Sequence, residues 1–384
     1  MRIVYLSLTN FRNYQRLELD LPPHLTVLHG DNAQGKTNLL EAIYLLATAR
    51  SHRATAEREL LNWLLPDDGM LATRIAATVE KAKQTVQVEI ALMATHRGRE
   101  TVTTDLESSE ARLLQKRIRV NGVPRRASDL VGQVNVVLFS SQDIDIISGP
   151  PALRRRYLDI TNSQVSARYL RALQRYNRIL AQRNHLLRLI GEHRAQTGEL
   201  DFWDGELVEQ GSCLIDIRQN MVAELDRLAR PIHRELTTGR EELVITYGSS
   251  VSLDEFTSSL QRMRDREVAY GMSLIGPHRD GLSFTSNSVD MGTYGSRGQQ
   301  RTVALSLKLA EAVFIRSKTG DAPILLLDDV LSELDLMRRK HLLDFVASQQ
   351  QVIITTTDLQ CFAPSFLSEA SLFQVKEGAI TPVT

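Results

Sequence analysis

The sequence lacks what would place a chain outside the cell or in a membrane. Cysteine occurs only twice in 384 residues, at Cys213 and Cys361, with no C-x-x-C pair. That excludes a disulfide scaffold or cysteine zinc site and suits a reducing compartment. No apolar run is long enough to span a bilayer. The start, Met1 to Leu8, alternates like a strand and lacks the apolar core of a signal peptide, so a cytoplasmic location is expected. An excess of one charge is missing too, since 46 Lys plus Arg balance 46 Asp plus Glu. A nucleic-acid surface would therefore have to be a local patch. With 42% hydrophobic and 24% charged residues the composition is that of a globular protein, and the length predicts two lobes.

What is present centres on residues 30–37, Gly-Asp-Asn-Ala-Gln-Gly-Lys-Thr, which fit the phosphate-loop pattern G-x-x-x-x-G-K-[ST]. A short apolar strand, Leu25 to Leu28, precedes the loop, and an amphipathic helical pattern, Asn38 to Leu46, follows it. Gly30 and Gly35 permit torsions and close approach that a side chain forbids. The backbone of Asp31, Asn32, Ala33 and Gln34 would cradle phosphates where a helix begins. Lys36 is then placed to reach the β/γ-phosphates and the Thr37 hydroxyl to ligate Mg²⁺. A nucleoside triphosphate is the predicted ligand.

A second piece is expected at Ile324 to Asp329, an apolar run ending in two acids. Carboxylates at the C-terminal edge of a buried parallel strand lie where open α/β sheets bind ligands. Asp328 suits Mg²⁺ coordination through water, and Asp329 suits polarising an attacking water. The long gap between the phosphate loop and this strand implies an insertion.

Short alternating strands are expected from about 70 to 140, including a hairpin over 117–126 tipped by Asn121-Gly122. Lys116, Arg117, Arg119, Arg125 and Arg126 make that hairpin basic. A solvated edge guarded against aggregation and a DNA contact both account for it. The same alternatives apply to Arg154, Arg155 and Arg156. Near the start, Asn10 to Tyr14 either caps a hairpin or turns Arg12 toward nucleotide or DNA, and Ser51-His52-Arg53 reads as a solvated loop.

Beyond Pro150-Pro151, Tyr169, Leu173, Tyr176, Leu180, Leu187 and Ile190 form a heptad-like seam interrupted at Arg183. After a polar break near 191–198 a second seam runs Leu207, Leu214, Ile217, Met221, Leu225, Leu228 and ends near Pro231. Two such helices make a short antiparallel arm. The expected boundaries are 1–150 and 271–384 for two parts of one head, with a helical lobe over 151–270. Within the last part, Ser296 and the Gly298 backbone precede a helix from Val303 to Phe314. They would offer donors at another helix N-terminus or simply cap it. One triphosphate seldom needs two such sites from one chain, so this one is expected to face a second copy.

Phosphate loop, Ser296-Arg297-Gly298-Gln299-Gln300, Asp328-Asp329 and Ser332-Glu333-Leu334-Asp335 occur in the order of the ABC-type ATPases. Asn10 to Tyr14, Ser51 to Arg53, Gly149 to Pro151 with Arg154-Arg155, Gly276 to Asp280 and Ser296 to Thr302 resemble, more specifically, the RecF family of bacterial DNA replication and repair proteins. The resemblance implies an α/β ABC-type P-loop ATPase head, a mixed sheet with flanking helices, plus an inserted short helical-hairpin lobe. It implies weak, DNA-stimulated ATP hydrolysis with Mg²⁺ and an ATP-dependent head-to-tail homodimer. In that dimer the phosphate loop of one copy meets Ser296, Gly298 and Gln299 of another. Gln142 would sense Mg²⁺ and the attacking water, Asp335 would belong to the segment crossing the interface, and Thr357 stands where transporters carry a histidine. Asp329 stands where transporters carry glutamate. The implied partners are single-stranded and duplex DNA, gaps included, and RecO- and RecR-type mediators, in support of RecA loading and SOS induction. Alternatives are a nucleotide-stabilised scaffold without meaningful turnover, or a chromosome-structuring relative, whose very long coiled coils the short seams here do not match.

Overall fold

In the computed structural model, which describes residues 1–63, 72–95 and 113–383, the chain forms two units: Met1–Ser141 with Gly320–Thr384, and Gln142–Thr319. The first unit opens with β1 (Arg2–Phe11), β2 (Tyr14–Asp20), β3 (His24–His29) and α1 (Lys36–Thr48). There follow β4 (Ala72–Glu80), β5 (Thr85–Thr95), β6 (Leu113–Val120), β7 (Val123–Arg125), α2 (Ala127–Leu130) and β8 (Val136–Ser140). Part of the strand-rich stretch expected from 70 to 140 lies outside the described residues. An antiparallel sheet runs β2-β1-β4-β5-β6-β7. In β4, Thr73, Ile75, Ala77 and Val79 are buried at every second position, so one face enters the core. The expected hairpin is β6–β7, with Asn121 and Gly122 at positive φ in its turn.

The second unit holds α3 (Ile144–Ser148), α4 (Pro151–Val165), α5 (Ala167–Gly191), α6 (Leu200–Leu236), β9 (Leu243–Gly248) and α7 (Phe256–Tyr270). It ends with β10 (Gly281–Ser286), β11 (Val289–Asp290) and α8 (Arg297–Thr319). Helices α5 and α6 form the expected arm. Tyr169, Tyr176 and Ile179 pack on Leu207, Leu214 and Ile215, and Leu187 and Ile190 on Leu200. Helix α6 does not stop at Pro231 but runs on to Leu236. Its last turn is held by tertiary contacts that offset the missing N–H: His233 is buried with Nδ1 3.0 Å from Ser306 Oγ of α8, and Leu236, at the end of the helix, is buried too. Because α8 packs on α6, residues 271–319 group with the helical unit, whereas the sequence pattern had put them with the head.

Arg183, read in sequence as a break in the seam, is wholly buried. Its guanidinium donates to Asp204 (2.7 Å), Glu267 (2.7 Å) and Ser273 Oγ (2.7 Å). Arg218, also buried, reaches Tyr169 Oη, Asp159 and the Pro277 carbonyl. His278 lies between Tyr176 Oη at 2.7 Å from Nδ1 and the Ser273 carbonyl at 3.1 Å from Nε2. That pairing suits the neutral ring, with Nε2–H donating and Nδ1 accepting. Burial is the main reason that His278 drops from 6.5 to about 4. Between those values the unfolded chain binds the proton and the folded chain does not, so stability rises with pH there and is lost as pH falls from about 6.5 toward 4. His278→Gln should therefore reduce the stability lost between pH 7 and pH 5 by ~2 kcal/mol, read from urea midpoints at each pH.

The chain re-enters the first unit through β12 (Ile324–Asp328), α9 (Leu336–Ala347), β13 (Gln351–Thr356), α10 (Pro364–Ser368), β14 (Ser371–Lys376) and β15 (Ala379–Pro382). A second sheet runs β15-β14-β3-β13-β12-β8, parallel except for the β14–β15 hairpin. Its inner strands are near-continuous apolar runs, as burial on both faces requires, and β13 is buried at all six positions. Helix α1, buried on nearly every side, packs against both sheets and centres the core of this unit. The architecture is the expected mixed α/β head with helices beside the sheet.

Candidate nucleotide site

The parallel sheet brings the C-terminal ends of β3, β13 and β12 side by side. Residues 30–35 leave β3, Asp328 ends β12, and Thr355 of β13 pairs in register with both Asp328 and Leu28. The loop between β3 and α1 is tightly walled. Gly30 has φ 156°, and a Cβ there would fall 2.3 Å from the Val375 carbonyl oxygen; Gly35 has φ 118°, and its Cβ would fall 2.6 Å from Asn13 Nδ2. Neither position accepts a side chain without backbone movement.

Support comes from three segments remote in sequence. Asn13 Nδ2 donates to the Gln34 carbonyl at 2.9 Å, and Tyr14 Oη to the Gly35 carbonyl at 3.0 Å. In the β14–β15 turn, Glu377 N donates to Gln34 Oε1 and Gly378 N to the Gln34 carbonyl. Arg12 and Asn13 make the turn of the β1–β2 hairpin, as one of the two readings expected, and the Arg12 side chain turns to α1. It grips Glu41 of α1 with two bonds, 2.9 and 2.8 Å. Ser51 Oγ donates to the same carboxylate at 2.5 Å, so Ser51 is buried, not part of a solvated loop. Burial presses Glu41 upward, but Arg12 and Ser51 outweigh it and hold the carboxyl below its ordinary value. The 10–14 and 51–53 motifs thus act on the helix that the phosphate loop opens.

Asp31, Asn32 and Ala33 are exposed at the mouth of the loop, while Lys36 is buried at its base. Lys36 Nζ donates to the Gly30 and Asp31 carbonyls at 2.6 and 2.7 Å. Burial lowers its pKa against the pull of Asp329, Asp328 and Asp31. Thr37 Oγ1 donates to Asp328 Oδ1 at 2.8 Å, and Thr355 Oγ1 lies 2.9 Å from the same oxygen. A hydroxyl and a carboxylate oxygen in contact, beside a loop shaped for phosphate, fit Mg²⁺, which takes few protein ligands and completes its shell with water and phosphate oxygens. Asp329 follows with φ 49°, a conformation that costs a non-glycine residue, and its N–H donates to Thr355 Oγ1 at 3.1 Å. Its carboxyl is raised by burial and by Asp328 and Glu333, with Lys36 opposing. Thr355 was missed in the sequence: it fixes Asp328 and the Asp329 backbone at once, and only the strand register reveals it.

Thr357 is exposed just past β13, and Asp335 N-caps α9 by accepting from Arg338 N. In the second unit, Gln142 is exposed at the first residue, and Ser296 and Gly298 are exposed where α8 begins. Ser296 N donates to Gln299 Oε1 at 3.0 Å and Gln299 N to Ser296 Oγ at 3.3 Å, a reciprocal capping box. Gln299 Nε2 is also held, donating to Glu241 Oε1 at 3.0 Å. In the β6–β7 hairpin Lys116 turns inward to the Ala49 carbonyl and Glu57. Arg117, Arg119, Arg125 and Arg126 are exposed, with Arg119 3.7 Å from Glu89. Arg154 and Arg155 donate to backbone carbonyls of Ile147, Gly149 and Asp280.

Comparison with known proteins agrees with this layout. Residues 2–380 match the RecF/RecN/SMC N-terminal domain family. A protein of Herpetosiphon aurantiacus named DNA replication and repair protein RecF is 43% identical, with all of both chains covered. A Chloroflexus aurantiacus protein of the same name is 42% identical over 99% of each. A solved structure of the recombination mediator protein RecF with ATP, of the RecFOR pathway, superposes with TM-score 0.86 at 29% identity, covering 100% of this chain and 97% of that one. The Pyrococcus furiosus Smc head, at 15% identity and TM-score 0.54, shares the fold over 99% of this chain and 95% of its own. Phosphate loop, acidic strand end and full-length likeness together show that the chain belongs to the RecF family of ABC-type ATPases.

Proposed function

We propose that the chain is an ATP-gated DNA-binding ATPase of replication and recombinational repair, closing as a head-to-tail dimer on DNA and reopening on slow hydrolysis. The observation that carries this reading is the Thr37–Asp328–Thr355 contact at the C-terminal edge of β12 and β13, beside a phosphate loop that tolerates no side chain at Gly30 or Gly35. In this scheme the backbone of residues 30–35 and Lys36 hold the triphosphate, and Thr37 and Asp328 hold Mg²⁺. The cation, when bound, neutralises charge on the β- and γ-oxygens. Asp329, its carboxyl already raised, orients the attacking water, with Gln142 and Thr357 completing the shell around the γ-phosphate. The exposed N-terminus of α8, through Ser296, Gly298 and Gln299, serves the triphosphate of a second copy. ATP then favours the closed dimer because it touches both copies there and only one in the open state. Arg117, Arg119, Arg125 and Arg126 contact DNA phosphates. Single-stranded and duplex DNA at gaps, RecO- and RecR-type mediators, RecA loading, SOS induction and a cytoplasmic site of action belong to this reading by kinship. Among the described residues no helix is long and apolar enough to cross a membrane.

Light-scattering mass with and without ATP tests it. The expected result is an ATP-dependent doubling that Ser296→Arg abolishes while a fluorescent ATP analogue still binds. A mass indifferent to bound ATP would remove the dimer and leave the nucleotide site standing.

A further inference from the structure

Helix α5 has the most one-sided charge of any long helix among the described residues. Its 25 residues contain six arginines, no lysine and no acid, in a protein whose charges balance overall. Arg168, Arg171, Arg175, Arg178, Gln182 and His185 recur at alternating steps of three and four and are all exposed. They form one stripe, opposite the buried seam that packs on α6, about 25 Å long at ~1.5 Å per residue. Helix α6 by contrast mixes Asp201, Glu206, Glu209 and Asp216 with its basic residues, so a generic solvated face does not explain α5.

The stripe is also largely uncommitted. Arg168 and Arg171 make no hydrogen bond or ion pair among the described residues. Arg178 spends only Nε, on the Gln174 carbonyl at 3.3 Å, and Arg175 is paired with Glu206 at 2.5 Å. The other exposed positions, Ala167, Gln174, Asn177, Ala181, Arg188 and Gly191, add nothing apolar larger than alanine. A protein partner would want an aromatic or aliphatic centre. A row of guanidinium groups without one matches phosphates, which arginine binds bidentately.

We propose that the exposed arginine stripe of α5 (Arg168, Arg171, Arg175 and Arg178) is a binding site for the sugar-phosphate backbone of nucleic acid. The identity of the polyanion rests on the DNA-binding reading above. The site lies in the helical unit and is separate in sequence from the β6–β7 arginines.

The test uses the full chain carrying Arg168→Gln, Arg171→Gln and Arg178→Gln together, and a second triple variant with lysine at the same positions. Fluorescence anisotropy on a short duplex and a single strand is followed across a salt series. Each phosphate neutralised contributes a slope of ~0.9 in log affinity against log salt. The glutamine variant should lose about two to three from that slope and at least about tenfold in low-salt affinity. The lysine variant should keep the slope, and both should bind an ATP analogue like wild type. A glutamine variant with wild-type slope and affinity overturns the stripe and leaves DNA binding to other residues. A wild type that binds neither nucleic acid overturns stripe and function together. Loss of polyglutamate binding with DNA binding intact would assign the stripe to an acidic protein instead.

Discussion

Asp329→Asn is expected to slow ATP hydrolysis about 10²- to 10³-fold while leaving nucleotide affinity nearly unchanged, and Lys36→Ala to lose nucleotide binding itself. The asymmetry follows from position. Lys36 is buried at the base of the phosphate loop, where two backbone carbonyls already aim its ammonium. Removing it takes away charge that both the bound triphosphate and its transition state need. Asp329 stands one residue past the strand end, its backbone pinned to Thr355, with a carboxyl that burial and two acidic neighbours make more basic than usual. An amide of the same shape keeps the pinning and loses the proton acceptor. Three orders of magnitude correspond to about 4 kcal/mol of transition-state stabilisation. Single-turnover hydrolysis beside analogue binding separates the two effects. Turnover of Asp329→Asn within twofold of wild type would deny the carboxylate a chemical role and favour a nucleotide-stabilised scaffold.

In the helical unit, Glu267→Ala is expected to destabilise the fold by about 3–5 kcal/mol. Glu267 and Arg183 are both wholly buried, and Glu267 accepts from Arg183 and from Leu274 N, each at 2.7 Å. The substitution leaves a guanidinium in the interior with Asp204 as its remaining acid. The double variant Arg183→Met/Glu267→Leu should recover most of the loss, because removing both charges also removes their desolvation cost. Urea midpoints at constant m-value check both. If the double variant is as unstable as the single one, packing around the pair, and not the charge, is what matters.

Much of the site was legible because its pieces are local. The strand-loop-helix around 30–37 and the acid-tipped apolar run at 324–329 each lie within a dozen residues, and their physics is written in the order of the chain. What escaped detection depends on distant segments. Thr355 matters only through the register of β13 on β12, and Glu377 and Gly378 only because β14 lies next to β3. Arg12 sits in the hairpin turn that one of its two readings expected, but its grip on Glu41 escaped detection, since that buried partner sits on the polar side of a helical pattern that gave no sign of complete burial. Arg183 and Pro231 failed for one reason: a seam of leucines says which face is covered, but not that an ion network or a neighbouring helix will override a local rule.

The order of strands in the parallel sheet also sets a timetable for synthesis. Strands β8 and β12 are hydrogen-bonded neighbours, yet Ser140 and Ile324, at the end of one and the start of the other, are 184 residues apart (324 − 140). β3 must likewise await β13 at 351–356. At ~5–20 residues per second, a nascent chain would hold β8 without its neighbour for roughly 10–40 s after β8 is made. During that time the helical unit, whose residues are contiguous, has everything it needs to fold. The nucleotide site can therefore form only near the end of translation, and until then apolar strand edges on both sides of the gap are open to mispairing or to a chaperone.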